Sequence, residues 1–144
     1  MVSHLLLLCL EQALVVLPLT LHLPPIIAHF ATLHLQLPLC MAPGFEADDV
    51  LGTLANRAAD SGWGVRILSG DRDLFQLVDD SRDIAVLYMG GGPYAKSSGP
   101  TLIREEGVLG KLGVMPNKVV DLKALTGDSS DNIPGVRGVG PKTA

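Results

Sequence analysis

Apolar residues change rhythm repeatedly along this chain, and each change marks an element. Leu5 to Leu8 are consecutive, while Leu17, Leu19, Leu21 and Leu23 alternate as in a strand, so the first stretch settles on no single period. Leu37 to Met41 is a short apolar run closed by Pro43-Gly44, the pattern of a buried strand and turn. From Glu46 to about Ser61 the period becomes helical. Val50, Leu51, Leu54, Ala55 and Ala58 fall on one stripe, acids crowd the first turn and Gly62 stops it. Val65 to Leu68 predicts a strand, the corner Ser69-Gly70-Asp71 follows, and Asp73 to Val78 predicts a short helix. Ile84 to Tyr88 predicts another strand, and Gly90 to Pro100 a loop. Thr101 to about Leu112 and Lys118 to Leu125 both read as helices, before a tail punctuated by glycine and proline. Strands alternating with helices predict an α/β fold with a parallel sheet.

Charge divides the chain unevenly. Every Lys and Arg lies at or beyond Arg57, and only Glu11 among the carboxylates precedes Glu46. Residues 1–34 therefore form a nearly uncharged, leucine-rich leader. A signal peptide would need a positive n-region, which is missing. A membrane helix would need about 18 uninterrupted apolar residues, and Glu11, Gln12, Pro18 and His22 break the run from Leu5 to Leu23. Three readings stay open for the leader: a non-native or mis-started segment, a rearranged core element, or a membrane anchor. His4, His22, His29 and His34 lie in it without acidic neighbours and are not expected to bind metal. Cys9 and Cys40 imply no disulfide framework and suit a reducing cytoplasm. The 144 residues suffice for one compact domain. The formal net charge of −4 argues against simple electrostatic attraction to nucleic acid, unless bound cations reverse the local sign.

Three acidic clusters sit at the ends of apolar elements. Glu46-Ala-Asp48-Asp49 opens the first helix, with Glu46 and Asp49 on one face. Asp71-Arg72-Asp73 follows a strand directly, at the carboxyl-end edge that carries function in open α/β sheets. Asp128-Ser-Ser-Asp131 lies in a loop after a helix. Each alone reads as well as a solvated face or a helix cap. Gathered in one fold, they would repel strongly without hard divalent cations, which take oxygen ligands. Gly138-Val139-Gly140 could form a tight hairpin whose backbone N–H groups, with Lys142 alongside, hold a phosphate; alone it would read as a helix-capping turn. Arg72 could touch a phosphate or simply balance its neighbouring acids. Trp63 and Phe75 read as core or edge packing, and Tyr94 and Lys96 as surface residues.

The order and flanks of the clusters are more specific than the clusters. Glu-Ala-Asp-Asp-Val-Leu-Gly-Thr-Leu-Ala (46–55), Ser-Gly-Asp-Arg-Asp-Leu-Phe-Gln-Leu (69–77) and Gly-Asp-Ser-Ser-Asp-Asn-Ile-Pro-Gly-Val (127–136) resemble the signatures of the 5′-nuclease and flap endonuclease family of bacterial DNA polymerase I. The segment from Ile133 to Ala144 resembles that family's helix–hairpin–helix. The resemblance covers about three quarters of the chain. It implies a partial parallel sheet of the 5′-nuclease (PIN-like) type, with the α/β core at 35–126 and a helix–hairpin–helix beginning at 127–144. It further implies that Glu46, Asp48, Asp71, Asp73 and Asp131 are catalytic metal-site residues, with Asp49 and Asp128 more peripheral. Two Mg²⁺ or Mn²⁺ ions are implied as cofactors. Arg72, Gly138, Val139, Gly140 and Lys142 are the expected DNA contacts.

The chain also departs from that pattern. A first strand carrying a catalytic Asp, and a basic arch after it, cannot be found before Glu46, where neither Asp nor Lys occurs. The expectation is therefore a cytoplasmic, monomeric, metal-dependent 5′→3′ exonuclease and flap endonuclease acting on DNA ends, flaps and branched duplex, with its central strand and arch missing or replaced. A polymerase domain would accompany it in a full-length protein. The rival expectation is a catalytically incomplete fragment that binds DNA structure without cleaving it.

Overall fold

The computed structural model describes residues 4–10, 13–19, 39–40, 42–90, 99–140 and 143–144. Its centre is a six-stranded mixed sheet, ordered β3-β1-β2-β4-β5-β6. The strands are β1 (His4–Leu10), β2 (Ala13–Leu19), β3 (Leu39–Cys40), β4 (Gly64–Ser69), β5 (Ile84–Tyr88) and β6 (Thr101–Ile103). The helices are α1 (Ala47–Asp60), α2 (Glu105–Leu112) and α3 (Val119–Thr126). Strands β2, β4 and β5 run parallel; β1 pairs antiparallel with both β2 and β3, and β6 pairs antiparallel with β5.

The parallel centre follows from connection length. Val65 to Ser69 pairs residue for residue with Ile84 to Tyr88, and the return path between them is filled by the 3₁₀ turns Asp73–Leu77 and Asp80–Arg82. The core lies between this sheet and α1. Val65, Ile67, Leu74, Phe75, Val86 and Val108 are fully buried, and α1 contributes Leu51 and Ala55. The inward positions of β4 alternate strictly, so Val65, Ile67 and Ser69 are covered while Gly64, Arg66 and Leu68 are half-buried. On α1 the predicted stripe is the buried one, with Val50, Leu54 and Ala58 packed partly against the core.

Three sequence expectations change or narrow. The helix expected from Thr101 begins only at Glu105, because Thr101 to Ile103 adds an antiparallel edge strand to β5. Of the two places expected for Trp63, core or edge, its 39% exposure leaves the edge. Most important, the leader does not stand outside the sheet: β2 pairs in parallel with β4 from Ala13↔Gly64 to Val16↔Ile67, and β1 pairs with β2 along its whole length. A strand from residues 13–19 thus stands beside β4. Pro18, which has no N–H to give, lies beyond the stretch of β2 paired with β4. Among the described residues no helix is long and apolar enough to cross a membrane. Tyr94, Lys96 and Lys142, with His22, His29 and His34, lie outside the described residues.

A charged clamp holds the bottom edge of the sheet. Asp83 adopts the left-handed conformation (φ 52°) just before β5. Its Oδ1 accepts from Arg66 Nη2 at 2.8 Å and from Arg104 Nη2 at 2.8 Å, tying β4 to the segment between β6 and α2. Arg66 Nη1 also donates to the Asp83 carbonyl at 2.7 Å. Asp83→Ala should cost about 1–2 kcal/mol in urea melts, from a strained backbone and the loss of the shared carboxylate, with Arg66 left only its backbone acceptors and Arg104 only Asp80. Asp83→Asn should cost less, because Asn tolerates the left-handed region and keeps an acceptor; equal losses would show that neither contribution matters.

Candidate metal centre

The acidic residues converge on the carboxyl-end edge of the parallel strands. At the end of β4 the buried Ser69 accepts the Asp71 N–H through Oγ at 3.0 Å, and Asp71 Oδ1 accepts the Asp73 N–H at 2.9 Å. These two bonds fold the chain back sharply, so Asp71 and Asp73 both face outward from the strand end. Asp73 is then the first residue of a 3₁₀ turn whose Leu74 and Phe75 are buried, which anchors the loop in the core.

The third cluster is delivered by a glycine clasp after α3. Asp128 and Ile133 exchange backbone hydrogen bonds at 2.8 and 2.7 Å, and the Val136 N–H donates to the Leu125 carbonyl at 2.8 Å. Gly127 (φ 80°) and Gly135 (φ 67°) lie back to back at the neck of this loop. A Cβ on Gly127 would stand 2.7 Å from the Ile133 carbonyl oxygen, so no side chain fits there. The clasp carries Asp128 and Asp131 across to Asp73, and one carboxylate oxygen from each of the three lies within 4.8 Å of the others.

Asp48 comes from the first turn of α1. Partial desolvation raises its carboxyl from the ordinary 3.8 to about 6, and the charges of Asp71, Asp73, Glu46 and Asp49 add to the rise. The helix N-terminus favours a negative charge here by about 0.3–1 kcal/mol, yet partial burial and the neighbouring acids together override it. Asp49 turns back instead, accepting the Glu46 N–H through Oδ2 at 3.1 Å as a cap. The structure therefore brings Asp73, Asp128 and Asp131 together, sets Asp48 within the field of Asp71 and Asp73, and leaves Glu46 and Asp49 at the rim.

One residue of this centre escaped the sequence reading. Lys123, on α3, is ion-paired with both Asp73 and Asp128. Burial works to lower the pKa of its ammonium, but hydrogen bonds to Asp128 and Asp73 outweigh it, and the net direction is upward. On Asp128 the same bond, with the Ser130 N–H, holds the carboxyl down at about 2. A lone helical lysine gives no signal of its own; only its distance of about one helical turn from Gly127-Asp128 hinted at it. Tyr88 was missed too. Its hydroxyl accepts from Arg72 Nε at 3.1 Å, and its ring meets Phe75 edge-on at 5.2 Å between centroids. Arg72 is thereby fixed at the wall of an open cleft of about 480 Å³, which Asp71, Asp73, Lys123 and Asp128 also line.

The hairpin residues behave differently. Gly138 is left-handed (φ 84°) and the Val139 N–H closes a turn onto the Val136 carbonyl at 3.0 Å. The Gly140 N–H donates to the Thr143 hydroxyl at 3.0 Å. Two of the amides expected to face a phosphate are thus engaged within the turn.

Comparison with known proteins accounts for this arrangement. Residues 18–113 match the family model of the 5′–3′ exonuclease N-terminal resolvase-like domain, and residues 114–144 that of the 5′–3′ exonuclease C-terminal SAM fold. The chain belongs to the 5′–3′ exonuclease family. Among curated relatives it is 54% identical over 101 residues to DNA polymerase I of Synechocystis sp., covering 70% of this chain and 10% of that protein. It is 54% identical over 103 residues to the thermostable DNA polymerase I of Thermus filiformis, covering 72% of this chain and 11% of the relative. DNA polymerase I of Chloroflexus aurantiacus is 45% identical over 111 residues, which cover 76% of this chain and 11% of the relative. The chain thus spans about a tenth of the length of the relatives it matches. The first exonuclease model begins inside the leucine-rich leader, at Pro18.

The crowding at Asp48 has a direct consequence for stability. Because its folded pKa lies above its unfolded one, the metal-free chain loses stability as pH rises from about 4 to about 6. Asp48→Asn should therefore stabilise the metal-free chain at pH 7 by about 1 kcal/mol, a value reduced for the exposure of this residue. The gain should vanish below about pH 4. Thermal melts in chelator at both pH values check this, and a gain independent of pH would contradict the crowding.

Proposed function

We propose that this chain is the catalytic portion of a divalent-metal-dependent 5′→3′ exonuclease and 5′-flap endonuclease acting on DNA. The observation that carries the reading is the convergence of one carboxylate oxygen each from Asp73, Asp128 and Asp131 within 4.8 Å, beside an Asp48 carboxyl raised by partial burial and by its acidic neighbours. An all-oxygen donor set of this charge suits Mg²⁺ or Mn²⁺. Asp73, Asp128 and Asp131 would hold one ion, and Asp48 and Asp71, with Glu46 and Asp49 behind them, a second. When bound, such ions activate water and offset charge on the attacking and leaving oxygens of a phosphodiester.

The remaining residues prepare the substrate. Arg72, held by the Tyr88 hydroxyl, offers a guanidinium at the cleft wall for a backbone phosphate, and its fixed fork suits two phosphate oxygens at once. The Gly138 turn supports a helix–hairpin–helix reading, in which backbone groups grip duplex DNA without reading sequence. A polymerase domain in the same full-length protein, and a role in replication and repair, fit the names of the relatives.

Asp71→Asn combined with Asp73→Asn should remove tight Mn²⁺ binding in calorimetry and lower Mg²⁺-dependent cleavage of 5′-flap DNA by more than about 100-fold. Unchanged metal affinity would dismiss the assignment, and flap binding without any metal-dependent cleavage by the native chain would favour a binding module instead.

The hairpin makes a separate prediction. Gly138→Val forces a branched residue into the left-handed region and should weaken binding to duplexes of every sequence alike. A loss that varied with sequence would point to base contacts, and no loss to a purely structural turn.

A further inference from the structure

The two oxygens of Asp128 are both taken in this structure. Oδ2 is paired with the Lys123 ammonium, and Oδ1 accepts the Ser130 N–H at 2.8 Å. Asp73 gives its Oδ1 to the same ammonium. One lysine therefore bridges two of the three carboxylates whose oxygens lie within 4.8 Å of one another. Each oxygen keeps a second lone pair, but a divalent cation drawing on Asp128 and Asp73 would stand close to the ammonium that bridges them, and like-charge repulsion would drive that ammonium away. The Ser130 amide is fixed in the clasp between Asp128 and Ile133. The ammonium stands on a flexible four-carbon stem, its side chain is 29% exposed, and it opens onto the cleft beside Asp71. Lysine is the donor that can leave.

We propose that Lys123 is an internal counter-cation of the carboxylate centre, clasping Asp73 and Asp128 in the metal-free chain and released when a divalent cation binds. This rests on the metal reading above and adds a positioning residue to it. The device explains how the acids stay gathered while no metal is bound: each ion pair offsets part of their repulsion. It also sets a threshold, because a metal must outcompete the ammonium as well as shed its own waters. The other paired lysine of this region behaves differently. Lys118 reaches only Asp121, one turn along the exposed surface, at 2.9 Å.

Calorimetric titration of Mn²⁺ into the native chain, Lys123→Met and Lys118→Met tests the idea. Lys123→Met should bind Mn²⁺ on the order of fivefold to tenfold tighter than the native chain, the worth of one or two half-exposed ion pairs. Lys118→Met should match the native chain. Lys123→Met should also melt at a lower temperature in chelator and gain more from added Mg²⁺. Equal or weaker Mn²⁺ affinity in Lys123→Met would overturn the proposal while leaving the metal reading intact. Failure of the native chain and of both variants to bind Mn²⁺ at millimolar concentration would overturn the metal reading itself, and this proposal with it. Should Lys123→Met not fold, the Lys123 side-chain ¹⁵N signal of the native chain decides: it should move on saturation with Mg²⁺, and an unchanged signal would refute release.

Discussion

Repulsion among carboxylates gathered at one edge of a parallel sheet is the constraint to which the rest of this molecule answers. Asp48, Asp71, Asp73, Asp128 and Asp131 arrive from three separate elements, and nothing in a hydrophobic core rewards their meeting. Asp48 feels the conflict: partial burial raises its carboxyl first and the charges of Asp71, Asp73, Glu46 and Asp49 add to the rise, even at a helix N-terminus, where a carboxylate should be favoured. A fold tolerates such a local conflict when its other parts are strongly determined. Here the determination comes from the buried residues of β4 and β5 and the apolar stripe of α1, which lock the strand ends before the acids have any say.

Each acid is then held by a different device. The Ser69 hydroxyl and the Asp71 carboxylate shape the turn after β4. The Gly127 and Gly135 neck lets the loop after α3 close tightly enough to bring Asp128 and Asp131 over Asp73. Lys123 supplies positive charge at the point where two of these devices meet. At the opposite edge Arg66 and Arg104 converge on Asp83, keeping its charge engaged in a structural clamp away from the centre. On the metal reading proposed above, the acids would be needed for chemistry, and the scaffold offsets the cost of holding them together.

The two kinds of residue were unequally visible from the chain alone. Helix α1, strands β4 and β5 and the three acidic clusters could be read directly, because apolar period and turn residues are local properties. Even the boundaries of α1 came within a residue, since Glu46 and Ser61 flank it as caps. By contrast, β6 was read as the start of a helix because three residues carry no period, and only an unpaired edge on β5 makes them a strand. The leader stayed open among three readings for a related reason. Its leucines fit a strand, a helix or neither, and the free edge of β4 selected the strand.

By itself, then, the sequence determined α1, β4 and β5, which residue types stand at their ends and the family they resemble. Local sterics and hydrophobic period act between near neighbours and need no fold to express them. Tertiary structure alone decided which acids meet, that Lys123 bridges Asp73 and Asp128, that Tyr88 steadies Arg72 and that two hairpin amides are already engaged. Those facts depend on distances between residues as far apart in sequence as Asp48 and Asp131. Coulomb energy and hydrogen bonding are functions of separation in space, and separation in space is what a linear pattern does not record.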